Sequence, residues 1–216
     1  MPPRREPLVL LALVFAGLAI TYRGAYSTST WWMETSFIFI GLPMLVGTAT
    51  RFPLSPLLYR LLALHAVILM IGGHYTYARV PLGEWMKDWF GFARNHYYRI
   101  GHLAQGVVPA ILAREILLRT SPFGVMRSKW LPVCVTAICL AFSAFFEMIE
   151  WWSAVAGGAA TVDFLGTQGD VWDAQWDMFS ALIGAIVAQV LLWRVHNRSM
   201  GIVQGSKGPE VQRSHR

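Results

Sequence analysis

The stretch from Trp130 to Trp193 carries six carboxylates and no Lys, Arg or His, although most of its residues are apolar enough to lie in a lipid bilayer. The six acids are Glu147, Glu150, Asp163, Asp170, Asp173 and Asp177. A lone carboxylate at the centre of a membrane costs at least ~2.5–3.5 kcal/mol, so an acid that remains there requires a neutralising partner. Because this stretch contains no basic residue, the partner must come from another part of the chain or from solution. Where that partner binds, we expect a functional site.

The composition indicates an integral membrane protein. Of the 216 residues, 55% are hydrophobic and only 14% are charged, with a mean hydropathy of +0.45. Six segments approach the ~20 apolar residues that a membrane-spanning helix requires. They cover residues 7–22, 31–50, 57–78, 97–118, 130–155 and 172–193. The sequence therefore predicts an all-α, polytopic six-helix transmembrane bundle that forms one domain over residues 1–200, followed by a basic, disordered tail over residues 201–216.

The distribution of Lys and Arg predicts the orientation of this bundle. Thirteen of the 18 basic residues lie near the two termini or the second and fourth connections, and five lie near the first, third and fifth connections. Since basic residues favour the cytoplasmic side, both termini are expected in the cytoplasm. The formal net charge of +6 follows from this topology, and no nucleic-acid-binding motif gives it another meaning. Membrane lipids are the expected partners, and nucleic acid is not.

The predicted topology brings two pairs of acids to the same level of the membrane. The fifth helix runs outward and the sixth runs inward. Glu147 and Glu150, near the end of one, therefore approach Asp173 and Asp177, near the start of the other. At ~100° per residue, each pair lies within a narrow arc of its helix. The two helices are thus expected to present facing carboxylates in a crevice that opens to the outer side.

Two further helices reach this level with residues that can neutralise or share the acids. The third ends near His74, and the fourth carries Asn95, Arg99 and His102 on one face at i, i+4 and i+7. Arginine supplies a permanent positive charge, and neutral histidine is a common metal ligand. The fourth helix is therefore the expected source of charge balance.

Glu115 lies apart from these acids, near the other end of the fourth helix. It is adjacent to Arg114 and four residues before Arg119, a spacing that favours an ion pair on a helix surface. We therefore expect an exposed ion pair with a structural role.

Three interpretations of the polar cluster remain open. In the first, Arg99 pairs with one or two acids and the cluster serves helix packing alone. In the second, the cluster binds a divalent metal, Zn²⁺, Mn²⁺ or Mg²⁺, through mixed imidazole and carboxylate ligands. In the third, the acids form a proton or cation pathway.

The metal interpretation leads to a chemical hypothesis, a metal-assisted hydrolase or transferase that acts on a lipid or envelope substrate. In this scheme Glu150 acts as general base and Arg99 stabilises developing negative charge. The candidate metal ligands are His102, Glu147, Asp173, Asp177 and His74. The competing hypothesis is a protein that binds or transports a cation or small solute, with Trp side chains as cation–π walls. The residues alone do not decide whether the protein is an enzyme.

Four segments of the chain resemble the YjdF family of bacterial inner-membrane proteins. They are Tyr75–Glu84, Arg99–Glu115, Glu147–Trp152 and Phe164–Asp173. The resemblance covers nearly the whole membrane core and implies a multi-pass protein of the bacterial inner membrane, without implying a particular activity. Members of the family place an Asp immediately before the residue that corresponds to Arg99, whereas this chain has Tyr98. That difference leaves Arg99 freer to pair with acids of other helices.

Overall fold

The structure is a computed structural model that describes residues 5–124, 128–157 and 167–204, and these residues form helices with short connections and no strand. Within these ranges the α-helices are α1 (Arg5–Tyr22), α2 (Thr28–Thr48), α3 (Pro56–Tyr75), α4 (Pro81–Phe90), α5 (Tyr97–Thr120), α6 (Trp130–Gly157) and α7 (Asp173–Gln204). The predicted all-α class is confirmed. Asp163 and the tail beyond residue 204 lie outside the described residues.

Five of these helices, α1, α3, α5, α6 and α7, are long and apolar enough to cross a membrane. Helix α2 has 21 residues but begins with a polar stretch that includes Glu34, and it is not among the five. Large apolar side chains cover the outside of the bundle, including Ile20 at 70% and Leu191 at 67% exposure. Exposed apolar surface of this extent is typical of a protein that faces lipid. The multi-pass character is confirmed, whereas the six-span count and the orientation remain predictions.

Most helix ends lie within three residues of those predicted, and two of the differences have a clear physical reason. Helix α3 ends at Tyr75, before the predicted limit at residue 78, because Thr76 adopts a left-handed φ of 58° that a helix cannot continue through. Helix α7 continues past the predicted limit at residue 193 to Gln204, so the first residues of the predicted tail are helical. The predicted end lies where polar residues such as His196 interrupt the apolar run. In the structure His196 is completely buried against α5, so the helix continues through it.

Helices α5 and α7 run in the same direction and approach each other at their backbones. A Cβ atom added to Gly106 would lie 2.0 Å from the carbonyl oxygen of Ala181, and one added to Gly184 would lie 2.2 Å from that of Leu103. Small residues at such positions allow two membrane helices to pack closely. Ala181, Ala185 and Gly184 are spaced along the contact face of α7, so this contact fixes the register of the two helices.

A second contact between α5 and α7 lies at the opposite end of this helix pair. It involves Glu115, which the sequence predicts to be exposed. This side chain is completely buried, and its carboxylate accepts hydrogen bonds from the backbone N–H of Ser55 at 2.9 Å and from Arg119 at 2.8 Å. Its other oxygen lies 3.1 Å from Nε2 of His196, while Nδ1 of that ring lies 2.7 Å from Arg114. The predicted ion pair with Arg119 is present, but its expected exposure is wrong, because Ser55 before α3 and His196 of α7 also contact the buried carboxylate.

The contact at Gly184 predicts a strong effect from a single added carbon. Gly184→Ala must displace the α5 backbone, and overpacking of this kind costs about 1–3 kcal/mol. We expect a lower unfolding temperature for this variant in detergent. Gly47→Ala on α2 is the matched control, since a Cβ there meets no atom within 4 Å. Equal stability of the two variants would show that α5 and α7 are not in backbone contact.

Candidate functional site

Three potential metal ligands from three helices meet between α5, α6 and α7. His102 is on α5, Glu147 on α6 and Asp177 on α7, and one ligand atom from each lies within 4.8 Å of the others. Nδ1 of His102 lies 3.8 Å from Oε1 of Glu147, and Nε2 lies 3.8 Å from Oδ2 of Asp177. The α5–α7 contact accounts for this placement, since Gly106 and Ala181 each lie one helical turn beyond His102 and Asp177. We call these three residues the His102 cluster.

Several polar atoms of the His102 cluster have no hydrogen-bond partner, although they are buried. They are Nδ1 of His102, Oε1 of Glu147 and both carboxylate oxygens of Asp177. Asp177 is completely buried and His102 is 3% exposed. Buried polar groups in folded proteins are nearly always paired, and an unpaired carboxylate costs several kcal/mol. The cluster therefore has the capacity to bind something that supplies positive charge.

Arg99 lies at the edge of the cluster without closing it. Its guanidinium approaches Asp170 at 3.6 Å and Asp177 at 4.0 Å, both longer than a hydrogen bond, and lies 5.0 Å from the centre of the Trp176 ring. The Arg99 side chain is 24% exposed. Its donors are therefore positioned to receive an anionic group that enters from the exposed side.

Arg94 is the principal cation for the outer acids, and sequence reasoning did not single it out. It donates to Asp173 at 2.9 Å, to Asp170 at 2.7 Å and to the carbonyl oxygen of Thr167 at 2.7 Å. Asp173, a predicted metal ligand, is thus engaged by Arg94 one turn before Asp177. Arg94 lies in the connection between α4 and α5, where no helical spacing relates it to the acids.

The connection that carries Arg94 is bound to the segment before α7 by a reciprocal pair. The backbone N–H of Asn95 donates to Oε1 of Gln168 at 3.2 Å, and Nε2 of Gln168 donates to the carbonyl oxygen of Asn95 at 2.9 Å. The Asn95 side chain, 2% exposed, also donates to Glu84 on α4 at 3.0 Å. These bonds join α4, α5 and α7 into one polar layer above the His102 cluster.

The charges of this outer layer affect nearby ionisable groups. The hydrogen bond from Lys87 at 2.7 Å, followed by that from Asn95, lowers the pKa of Glu84. Burial lowers the pKa of His96, and the adjacent cations Arg99 and Arg94 lower it further. Both shifts follow from the contacts of this layer, in which Arg94 and Arg99 are the permanent cations.

Two further carboxylates of the bundle are buried. Glu150, the predicted base, is 4% exposed and accepts a short hydrogen bond from the hydroxyl of Tyr98. Tyr98 also packs against the His102 ring, with ring centroids 4.6 Å apart. Glu34 of α2 is 3% exposed, and sequence reasoning missed it because a single acid in an apolar helix has no periodic partner. Tyr98 thus connects the predicted base to the His102 cluster.

His74 does not join the His102 cluster. Its Nδ1 lies 2.8 Å from the carbonyl oxygen of Thr21, and its ring packs edge-on against Tyr75. These contacts direct the side chain toward the end of α1. The described residues therefore bring together three of the five predicted metal ligands, His102, Glu147 and Asp177, and place the other two, Asp173 and His74, in other contacts.

The three bonds of Arg94 predict that lysine cannot replace it. A single ammonium does not reproduce the planar fork that reaches two carboxylates and a carbonyl oxygen. We expect Arg94→Lys to lower the unfolding temperature nearly as much as Arg94→Ala, with increased proteolytic cleavage near residues 167–172. Lys87→Ala is the control, because it removes a single ion pair, with Glu84, between two side chains that are 37% and 41% exposed. Full stability of Arg94→Lys would contradict the role of the fork.

Comparison of the whole chain with known proteins confirms the resemblance to the YjdF family. Residues 6–198 match the family described as "Predicted membrane protein (DUF2238)". The chain is 46% identical to the "Inner membrane protein YjdF" of Escherichia coli (strain K12) over 211 residues, which is 93% of this chain and 98% of that protein. No solved structure matches the chain. The chain therefore belongs to the YjdF (DUF2238) family of multi-pass inner-membrane proteins.

Proposed function

We propose that this protein is a metal-dependent hydrolase or transferase that acts on a lipid or envelope substrate at the His102 cluster. The observation that carries the proposal is the set of buried, unpaired atoms of His102, Glu147 and Asp177 within 4.8 Å of one another. One divalent cation would pair with all three side chains and offset the cost of burying their charge. A cluster that served packing alone would be expected to pair these atoms with one another or with Arg99.

The donor set suits Zn²⁺ or Mn²⁺, and Mg²⁺ where carboxylates dominate. Two ligands at ~2.1 Å from an ion lie at most ~4.2 Å apart, so binding would draw the side chains slightly closer. His102 would bind the ion through one ring nitrogen, and in the structure each nitrogen faces one of the two carboxylate ligands, Nδ1 that of Glu147 and Nε2 that of Asp177.

The roles of the surrounding residues follow from their contacts. A bound metal supplies an acidic water and polarises a phosphoryl or carbonyl oxygen. Glu150, held by Tyr98, accepts the proton of the attacking water. Arg99 stabilises negative charge on the substrate. We assign no ligand role to Asp173 or His74, because Arg94 and Thr21 engage them.

The charge distribution supports an orientation for this site. With α2 as a sixth span and both termini in the cytoplasm, the starts of α5 and α7 lie on the periplasmic side. Asp170 and Arg99, each 24% exposed, then connect the His102 cluster to the periplasm. A substrate head group at the outer surface of the inner membrane would reach the cluster along this path.

Cation binding or transport is the second candidate function. It is favoured by four acids of low exposure, Asp177, Glu147, Glu150 and Glu34, that accompany the more exposed Asp170. In this case the acids exchange a cation with one another and hold none tightly. The two functions therefore differ in the amount of metal that stays with the purified protein.

Elemental analysis of detergent-purified protein tests the proposal. We expect about one transition-metal ion per chain, consistent with a single three-ligand site. Asp177→Asn and His102→Gln should lose this metal, while Asp88→Asn on the exposed face of α4 should retain it. Saturating metal should also stabilise the parent protein, by about 2.7 kcal/mol at a hundredfold excess over Kd, and should not stabilise Asp177→Asn.

The same measurements separate the alternatives. If metal is absent, added divalent ions do not raise the unfolding temperature and Arg99→Gln unfolds the bundle, then the cluster is a packing element and the proposed function is wrong. Absence of bound metal together with ion flux in reconstituted vesicles would favour the transport candidate.

A further inference from the structure

An elongated cleft of about 500 Å³ lies beside the His102 cluster. Helices α1, α2 and α3 form one wall, while α5 and two phenylalanines of α6 form the other. Its volume lies within the ~300–1,000 Å³ range of ligand sites in proteins. Along α5 the lining extends from Tyr98 to Leu112, which corresponds to a length of ~21 Å at 1.5 Å per residue.

The polar groups of the cleft are concentrated in one half. His102 lines the cleft, and Glu34, Gln105, Tyr77 and Tyr98 line the same half. Nε2 of Gln105 is buried without a hydrogen-bond partner. Toward the other end the lining is formed mainly by aliphatic side chains, among them Leu10, Leu45, Leu62 and Leu112. The cleft therefore combines a reactive end with a hydrocarbon end.

We infer that the cleft holds the hydrocarbon chain of a lipid taken from the surrounding membrane and places its anionic head group at the His102 cluster. The position of the head group rests on the proposed function, whereas the position of the chain rests on the cleft alone. A lipid with one chain in the cleft is the substrate class that this inference assigns to the site.

The chemistry of the two ends favours a lipid over a soluble ligand. The aliphatic half offers little hydrogen bonding beyond the Tyr59 hydroxyl, which already accepts from the backbone N–H of Leu54 at 3.2 Å, so a sugar or peptide there would leave most of its polar groups unpaired. A hydrocarbon chain has no such groups and gains packing contacts with the walls. At the other end, Arg99 and a cluster-bound cation match a phosphate or carboxylate head group.

Two glycines of α2 allow the cleft to be filled without changing the His102 cluster. Gly41 lines the cleft, and a Cβ added there meets no atom within 4 Å. Gly47 on the same helix is equally open but does not line the cleft. Gly41→Phe therefore places a ring in the space for the chain, and Gly47→Phe is its matched control. Ala63→Leu narrows the cleft from α3 and provides a second test.

The probe is a phosphatidylglycerol with a diazirine in one acyl chain, present at a low fraction in phosphatidylcholine nanodiscs that contain the full chain. After illumination, peptide mass spectrometry should locate adducts on cleft residues of α2, α3 and α5. We expect Gly41→Phe to reduce these adducts by about tenfold, a loss of ~1.4 kcal/mol in binding. Ala63→Leu should reduce them less, and Gly47→Phe should not reduce them.

Adducts confined to the exposed outer faces of the helices, or equal labelling of the cleft in Gly41→Phe and Gly47→Phe, would overturn the inference. Metal content measured on the same preparations separates this result from the proposed function. Cleft adducts without bound metal would support the hydrocarbon site in the cleft and contradict the proposed metal-dependent enzyme. Bound metal without cleft adducts would support the metal-dependent enzyme and contradict the hydrocarbon site.

Discussion

The close contact between α5 and α7 is the constraint on which the rest of the site depends. Gly106 and Gly184 allow the two backbones to touch, and because the helices run in the same direction their register is maintained along their length. This register places His102 opposite Asp177 at one end and Glu115 opposite His196 at the other. A membrane protein gains little from moving apolar side chains out of lipid, so packing and buried polar pairs must supply its specificity.

The two polar ends of this helix pair differ in how completely they are satisfied. Around Glu115, both carboxylate oxygens and both nitrogens of the His196 ring have partners within hydrogen-bonding distance. Around Asp177, both oxygens lack one, and the nearest cation lies 4.0 Å away. The Glu115 site is therefore an example, within this protein, of a buried polar cluster whose role is structural and whose groups are fully paired. The comparison within one helix pair therefore supports a binding role for the His102 cluster more strongly than its composition does.

The sequence predicts the convergence of the acids but not their pairing. Helical periodicity and consecutive spans were sufficient to bring Glu147 and Asp177 to one level, because both depend on local spacing. The pairing of Arg94 depends on two connections that meet, its own before α5 and the segment before α7 with a left-handed Gln168, and no hydrophobic pattern reveals their conformations. Glu115 was misjudged for a related reason, since its partner His196 is 81 residues away. Long-range partners of single polar residues are not encoded in the pattern of one helix.

Tyr98 shows how the cluster and the cleft are connected. Its hydroxyl donates to Glu150, its ring packs against His102, and its side chain also lines the cleft. Tyr98 therefore brings an apolar ring and one hydrogen-bond donor to the boundary between the cluster and the cleft. The apolar wall of the cleft thus continues up to the His102 ring, which is the arrangement that the inferred lipid requires.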